Sequence, residues 1–257
     1  MCAHSVESRE RARKGRSRLS LFAQGVGELL MTLGTLVLLF AGYVTWGTDF
    51  RNATHQNDLS SALHNAWKTP AAPDGPPAVI SPDTPNGSPV AVIWVPSFGK
   101  DYHQTIVEGV DLSDLELGPG HYPGTASPGE VGNFSVAGHR TGNGAPFDDL
   151  PNLKAGAFIV IEMKDYYYTY RVLGDLATGD ATVPDAQGIP GKVIVDPSHV
   201  DVVAPVPENP TAQPTRRLIT LTTCDPWWSG ENRLIIHGEL DGAPWPKSQG
   251  LPPALKG

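Results

Sequence analysis

The segment RLITLTTC (217–224) is a β-strand by composition and by alternation. Its Ile and Thr residues are β-branched and suit a pleated backbone. With a period of two, Ile219, Leu221 and Thr223 share one face, while Thr220, Thr222 and Cys224 share the other. One face is therefore mostly apolar and the other polar, with a thiol at the strand's end. Asp225-Pro226 follows and breaks the ladder, because proline lacks the backbone donor. After DPWWSGEN (225–232) comes a second strand, RLIIHGEL (233–240). If the two pair antiparallel, Cys224 and Arg233 sit opposite each other and face the same way.

The same pattern extends outward. VAVIWVP (90–96), NFSVAGH (133–139), AFIVIEM (157–163), YYYTYRVL (166–173) and KVIV (192–195) read as strands, and QTIVEGV (104–110) as a weaker one. Lys164-Asp165 makes a hairpin turn, and PFDDLPNL (146–153) a short helix between strands. Short strands at this spacing predict an all-β domain, either one closed antiparallel barrel or a sandwich. Gly and Pro number 28 and 25 of 257 residues, which argues against a helical bundle. No glycine-rich phosphate loop follows a strand, so a nucleotide-dependent enzyme is disfavoured.

Charge divides the chain differently. Arg9, Arg11, Arg13, Lys14, Arg16 and Arg18 against Glu7 and Glu10 make the first 18 residues basic, although the whole chain has a net charge of -8. That balance argues against a nucleic-acid partner, which needs a basic face to displace counterions. Next, Leu29 to Thr48 carries no charge, and a helix of about 20 residues spans the roughly 30 Å hydrocarbon core. Tyr43 and Trp46 lie near its far end, where interfacial aromatics belong. The positive-inside rule then places the tail in the cytoplasm and everything after Asp49 outside. A cleavable signal peptide is the competing reading, but the stretch is long and no clear A-x-A site follows it. Residues 50–88 open polar, with a helical turn or two around Leu59–Trp67, and then become proline-rich from Pro70 to Pro89, as in an extended spacer. The expected order is a basic tail (1–20), a membrane anchor (21–48), a spacer (49–89), a barrel (90–242) and a C-terminal tail (243–257).

Two cysteines exclude a disulfide scaffold or a multi-cysteine zinc finger. Cys2 falls in the cytoplasmic tail and cannot pair with Cys224, which leaves a lone extracellular thiol on a polar strand end. A thiol nucleophile needs a base or a cation beside it. Among His103, His121, His139, His199 and His237, spacing does not choose. His139 has the best local context, ending an apolar strand and opening the turn His139-Arg140-Thr141-Gly142-Asn143-Gly144. His237 sits within a strand and reads as packed or surface. Arg233 can either hydrogen-bond a developing oxyanion or stand as an ordinary strand-end arginine.

TLTTC (220–224) with Arg233 in the next strand resembles the signature of the sortases, cysteine transpeptidases of Gram-positive surfaces. Upstream, GPGHYPGT (118–125), PGE (128–130), GN (132–133), AGHR (137–140) and Pro146-Phe147 resemble the segment around the sortase histidine. TTCDPWW and HYPGTASPGE look most like class E, with class D next. The resemblance implies a closed eight-stranded sortase β-barrel with short helices, preceded by one transmembrane helix. It implies Cys224 as nucleophile, His139 as general acid/base and Arg233 as oxyanion and substrate-positioning cation. Thr223 and Tyr122 are implied in substrate binding, Tyr122 near the substrate's second residue. The implied reaction cleaves an LPxTG- or LAxTG-like sorting signal between Thr and Gly and passes the protein to a peptidoglycan amine. It uses no metal or organic cofactor, and no calcium-ligand cluster is evident. An extracellular thiol hydrolase, another Cys–His cell-wall transpeptidase and a non-catalytic binding β-module are the alternatives, separated by the product formed and by thiol reactivity.

Overall fold

The computed structural model describes residues 18–43, 48–68 and 78–256. The basic residues before Arg18, with Cys2, lie outside this range, as do Trp46 and the prolines from Pro70 to Pro77. The chain divides into two compact units, Met1–Thr45 and Trp46–Gly257.

The first unit holds helix α1 (Arg18–Gly42). Within it Leu21–Gly42 is long and apolar enough to cross a membrane, with mean hydropathy 1.7. Leu29, Leu30, Met31, Leu36, Leu38 and Phe40 are all exposed along it. Glu28 accepts a hydrogen bond from Gln24 at 2.8 Å, one turn earlier.

The second unit begins with helix α2 (Thr48–Trp67), continues through β1 (Pro89–Trp94), β2 (His103–Glu108), the short helix α3 (Leu112–Leu115) and β3 (Gly120–His121), and then β4 (Gly132–Ala137). It ends with β5 (Phe158–Glu162), β6 (Tyr166–Val172), β7 (Lys192–Val195), β8 (Arg217–Asp225), β9 (Asn232–Leu240) and β10 (Trp245–Pro246). Every strand expected from sequence is present. The hairpin turn at Lys164-Asp165 is closed by Met163 N–H on the Tyr166 carbonyl at 2.9 Å. The helix expected at 146–153 is a single 3-10 turn, Leu150–Asn152, with proline in its first turn.

The sheet runs β10-β6-β5-β1-β2-β3-β4-β8-β9-β7, and β6 also pairs with β9. That second pairing closes a ring of eight strands, the expected barrel, with β7 and β10 added at its edges. One edge of β9 is shared: Arg233–Ile236 pairs with β7 and Gly238–Leu240 with β6. The barrel is not wholly antiparallel. β2–β3 and β4–β8 run parallel. The connection between β4 and β8 is long enough for the crossover that parallel pairing requires.

Alternation along β8 is as expected. Ile219 and Leu221 join Phe134, Val136, Ile161, Tyr170, Leu234 and Ile236 in the core. Removing such side chains from water supplies about 1.5–3 kcal/mol each. On the outer face a buried polar chain joins the strands. Thr220 Oγ1 donates to Asn133 Oδ1 at 2.8 Å and lies 2.9 Å from His237 Nδ1. The amide of Asn133 in turn donates to the carbonyls of Val202 and Ala204 at 3.4 and 3.0 Å. These bonds pin the β7–β8 loop over β4 and β8. His237 is fully buried, and that burial pushes its pKa down to about 4.

Helix α2 is longer than the turn or two expected at Leu59–Trp67, and it packs on the barrel rather than standing free. Gln56 grips β2 and the α3–β3 link at once. It accepts from Thr105 N–H at 2.6 Å and donates to the Thr105 and Leu117 carbonyls at 3.1 and 2.8 Å. Leu63 is buried, and the ammonium of Lys247 sits 4.4 Å from the Trp67 ring centroid.

Candidate active site

Cys224 lies one residue from the end of β8, half-buried, with Arg233 as its cross-strand partner. The antiparallel hairpin thus juxtaposes the thiol and the guanidinium. The connecting loop folds back on the thiol at Gly230. A Cβ there would come within 3.5 Å of Sγ, and φ of +64° favours glycine in any case. Arg233 Nη1 donates to the carbonyls of Gly230 and Asn232, both at 2.9 Å, and so holds the loop in place.

His139 arrives from β4. The parallel register pairs Ala137 with Thr222, and Gly138 N–H continues it onto the Thr222 carbonyl at 3.0 Å. His139 follows two residues after that last pair on one strand, and Cys224 two residues after it on the other. Thr223 Oγ1 donates to the Gly138 carbonyl at 2.8 Å and locks the last step. Phe147 packs its ring where a Cβ on residue 138 would stand, 2.5 Å from Cδ2, so only glycine fits there. The Phe147 N–H also bonds the His139 carbonyl at 3.0 Å. Arg140 crosses back to β8, donating to the Cys224 carbonyl at 3.3 Å and pairing with the Asp225 carboxylate.

The Nε2 of His139 is buried and has no hydrogen-bond partner among the described residues. Burial lowers the His139 pKa below the ordinary imidazole value, and the carboxylate of Glu116 opposes that shift. The ring is therefore neutral near pH 7, with one nitrogen able to accept a proton.

Tyr122 follows β3, and its hydroxyl lies 2.9 Å from Thr222 Oγ1. Tyr122, Thr222 and Arg233 line a cleft of about 90 Å³ under the β7–β8 loop, with Val202 and Ile235 in its walls. All five residues singled out from sequence thus lie on segments at one end of the barrel, and Tyr122 and Arg233 line the cleft. Thr223 instead spends its hydroxyl on Gly138. Thr222, one residue earlier and on the same face as Cys224, stands in the cleft. Arg140, Asp225 and Glu116 also act on this site, yet sequence reading assigned them no part. His121 is engaged elsewhere, with Nδ1 on Glu108 at 2.7 Å and Nε2 on Thr125 at 2.9 Å.

A half-buried thiol, an arginine across the hairpin from it and an unpartnered imidazole nitrogen just after the neighbouring strand are the groups that cysteine acyl transfer uses. Residues 93–241 match the sortase domain family. The chain belongs to the sortase family, whose members are cysteine transpeptidases. Its relatives place it with class E. It is 32% identical to sortase SrtE1 of Streptomyces coelicolor over 97% of its own length, and spans 66% of that protein. It is 28% identical to SrtE2 of the same organism, covering 90% of this chain and 87% of the relative. A structure of sortase E1 from Streptomyces coelicolor, with a tripeptide in the active site, aligns with 66% of this chain and 97% of that one. Its identity is 31% and its TM-score 0.54. The SrtF sortase from Corynebacterium diphtheriae aligns with 70% of this chain and all of its own, at 33% identity and a TM-score of 0.61.

Proposed function

We propose that this enzyme cleaves an LPxTG- or LAxTG-like sorting signal between Thr and Gly and joins the new carboxyl end to a cell-wall amine. The observation that supports this reading is the cross-strand pairing of Cys224 with Arg233 on β8 and β9, beside the parallel β4–β8 pair whose end leads into His139. Neutral His139 takes the thiol proton as the sulfur attacks the Thr carbonyl. The C–S bond forms, and the oxyanion is stabilised by free donors of the Arg233 guanidinium. His139, now charged, protonates the glycine amine as the C–N bond breaks, which leaves a thioacyl enzyme. An acceptor amine then attacks, His139 takes its proton, and the thiolate departs.

Tyr122 and Thr222 contact the substrate's second residue in the cleft, and Thr223 positions His139 through Gly138. The tripeptide in the active site of the Streptomyces coelicolor enzyme supports a peptide bound beside the cysteine. In this reading residues 1–20 are a cytoplasmic tail, 21–48 anchor the protein in the membrane and 90–242 are the extracellular catalytic barrel.

The test is mass spectrometry of the full-length protein in detergent with LPxTG and LAxTG peptides and an amine. A thioacyl adduct on Cys224 and an amide product are expected. A free acid as sole product despite excess amine would favour a hydrolase. Absence of both adduct and cleavage would end the proposal. Protease added to intact protoplasts should digest the region after Asp49 and spare the first 18 residues; the opposite pattern would reverse the topology.

A further inference from the structure

A second cavity, of about 180 Å³, lies between helix α2 and the loop that follows His139. Arg51, Asn52, His55, Glu116 and Asn143 line it. It shares no residue with the cleft of Tyr122, Thr222 and Arg233. Arg51 and Glu116 bring opposite charges to this one small space. Among the described residues neither side chain has a hydrogen-bond or ion-pair partner, and they do not pair with each other. A cavity that presents a free cation and a free anion suits a ligand carrying both charges.

Arg51 and Glu116 stand exposed at its mouth, while buried Asn52 fixes one wall beside the His139 loop. Asn52 is 5% exposed and donates to the Glu116 carbonyl at 3.5 Å. Its Oδ1 sits where any Cβ on residue 144 would fall, 2.3 Å away, so α2 abuts the His139 loop directly. Asn143 is four residues beyond His139, and the Glu116 charge acts on the His139 imidazole. The three bonds of Gln56 hold α2 against this face.

The proposed reaction has two substrates, and the second must bring an amine to the thioacyl carbonyl on the flank where His139 can take its proton. We propose that the cavity between α2 and the His139 loop binds the acceptor, as a primary amine carried beside a carboxylate. The inference rests on the sortase reading above. Arg51 forks the carboxylate with paired N–H donors, and Glu116 concentrates the cationic amine next to His139. Ligand cavities usually measure about 300–1,000 Å³, so this one takes a single end group of a larger acceptor. The ammonium first loses one proton to solvent. The amine nitrogen then attacks, its second proton passes to His139 Nε2, the C–N bond forms and the C–S bond breaks. The Cys224 thiolate recovers the proton from His139, which leaves an amide and the free thiol.

The test uses the full-length protein in detergent, a short sorting peptide as donor, and glycine or glycinamide as acceptor. Arg51→Ala should raise the KM for glycine about tenfold or more and leave that for glycinamide unchanged, because only glycine has the carboxylate. Glu116→Gln should raise both. Arg51→Ala should not change the donor KM, since Arg51 does not line the peptide cleft, and both variants should keep the thermal midpoint. Unchanged acceptor KM values with normal thioacyl formation would overturn this inference alone. An equal loss for both acceptors in Arg51→Ala would overturn the carboxylate assignment. Absence of thioacyl formation in the unaltered protein would overturn the sortase reading and this inference with it.

Discussion

Replacing Thr223 by valine tests how His139 is held against Cys224. The change exchanges a hydroxyl for a methyl of nearly equal volume, so no cavity opens. What disappears is the 2.8 Å bond from Thr223 Oγ1 to the Gly138 carbonyl. Thr223 is 3% exposed and Gly138 is buried, so water does not replace the lost donor. A buried acceptor left unsatisfied costs about 1–3 kcal/mol. At about 2–4 °C per kcal/mol for a domain of this size, the thermal midpoint should fall by roughly 2–12 °C. Gly138 directly precedes His139, so a carbonyl that turns to find another donor carries the imidazole with it. A displacement near 1 Å costs on the order of 10²-fold in rate. The donor KM should not move, because Thr223 does not line the peptide cleft. Thermal unfolding and steady-state transfer to an amine, measured together, read both effects. An unchanged midpoint and kcat with a raised donor KM would refute this reasoning and make Thr223 a substrate contact.

Arg233→Lys should fail to restore turnover, because a flexible ammonium cannot both hold the Gly230 and Asn232 carbonyls and present a planar fork to the oxyanion; a wild-type rate would reduce Arg233 to a simple positive charge. The acid limb of kcat/KM for thioacyl formation should lie below pH 6.5, since burial holds the His139 pKa under that value, and Glu116→Gln should move it lower still. A limb at or above pH 6.5 would contradict the neutral-imidazole mechanism. For His237 the folded pKa of about 4 lies below the unfolded value of 6.5, so the unfolded chain binds the proton first as pH falls. Stability should be greatest above pH 6.5 and decline towards pH 4, by about 3 kcal/mol in all from this residue. Urea unfolding of His237→Gln should show a flatter decline, and an equal slope in both proteins would exclude His237 as its source.

The long strands were legible because each is a run of alternating β-branched and aromatic residues between turn formers. Gly120–His121 and Trp245–Pro246 are too short to carry a period, and tertiary neighbours alone make them strands. The Cys224–Arg233 contact could be read because one local hairpin sets it. The approach of the His139 segment to this hairpin depends on the parallel register of β4 on β8, which no spacing in the chain encodes; only family resemblance pointed to it. Helix α2 docks through Gln56 and Asn52, two polar side chains whose partners lie far along the chain, so hydrophobic periodicity gave no warning of it. For Thr222 the information was present: alternation had already placed it on the cysteine's face.

The β4–β8 seam joins residues far apart in the chain; the bond from Thr223 to Gly138 spans 85 positions. Pairings of such long range form late in folding, since the loop must close before any contact rewards it. Until they form, Cys224 has neither the His139 segment nor the folded loop at Gly230 beside it, and so no base to take its proton. A chain whose barrel has not yet closed therefore carries a dormant cysteine, and closing the barrel and arming the site become one event.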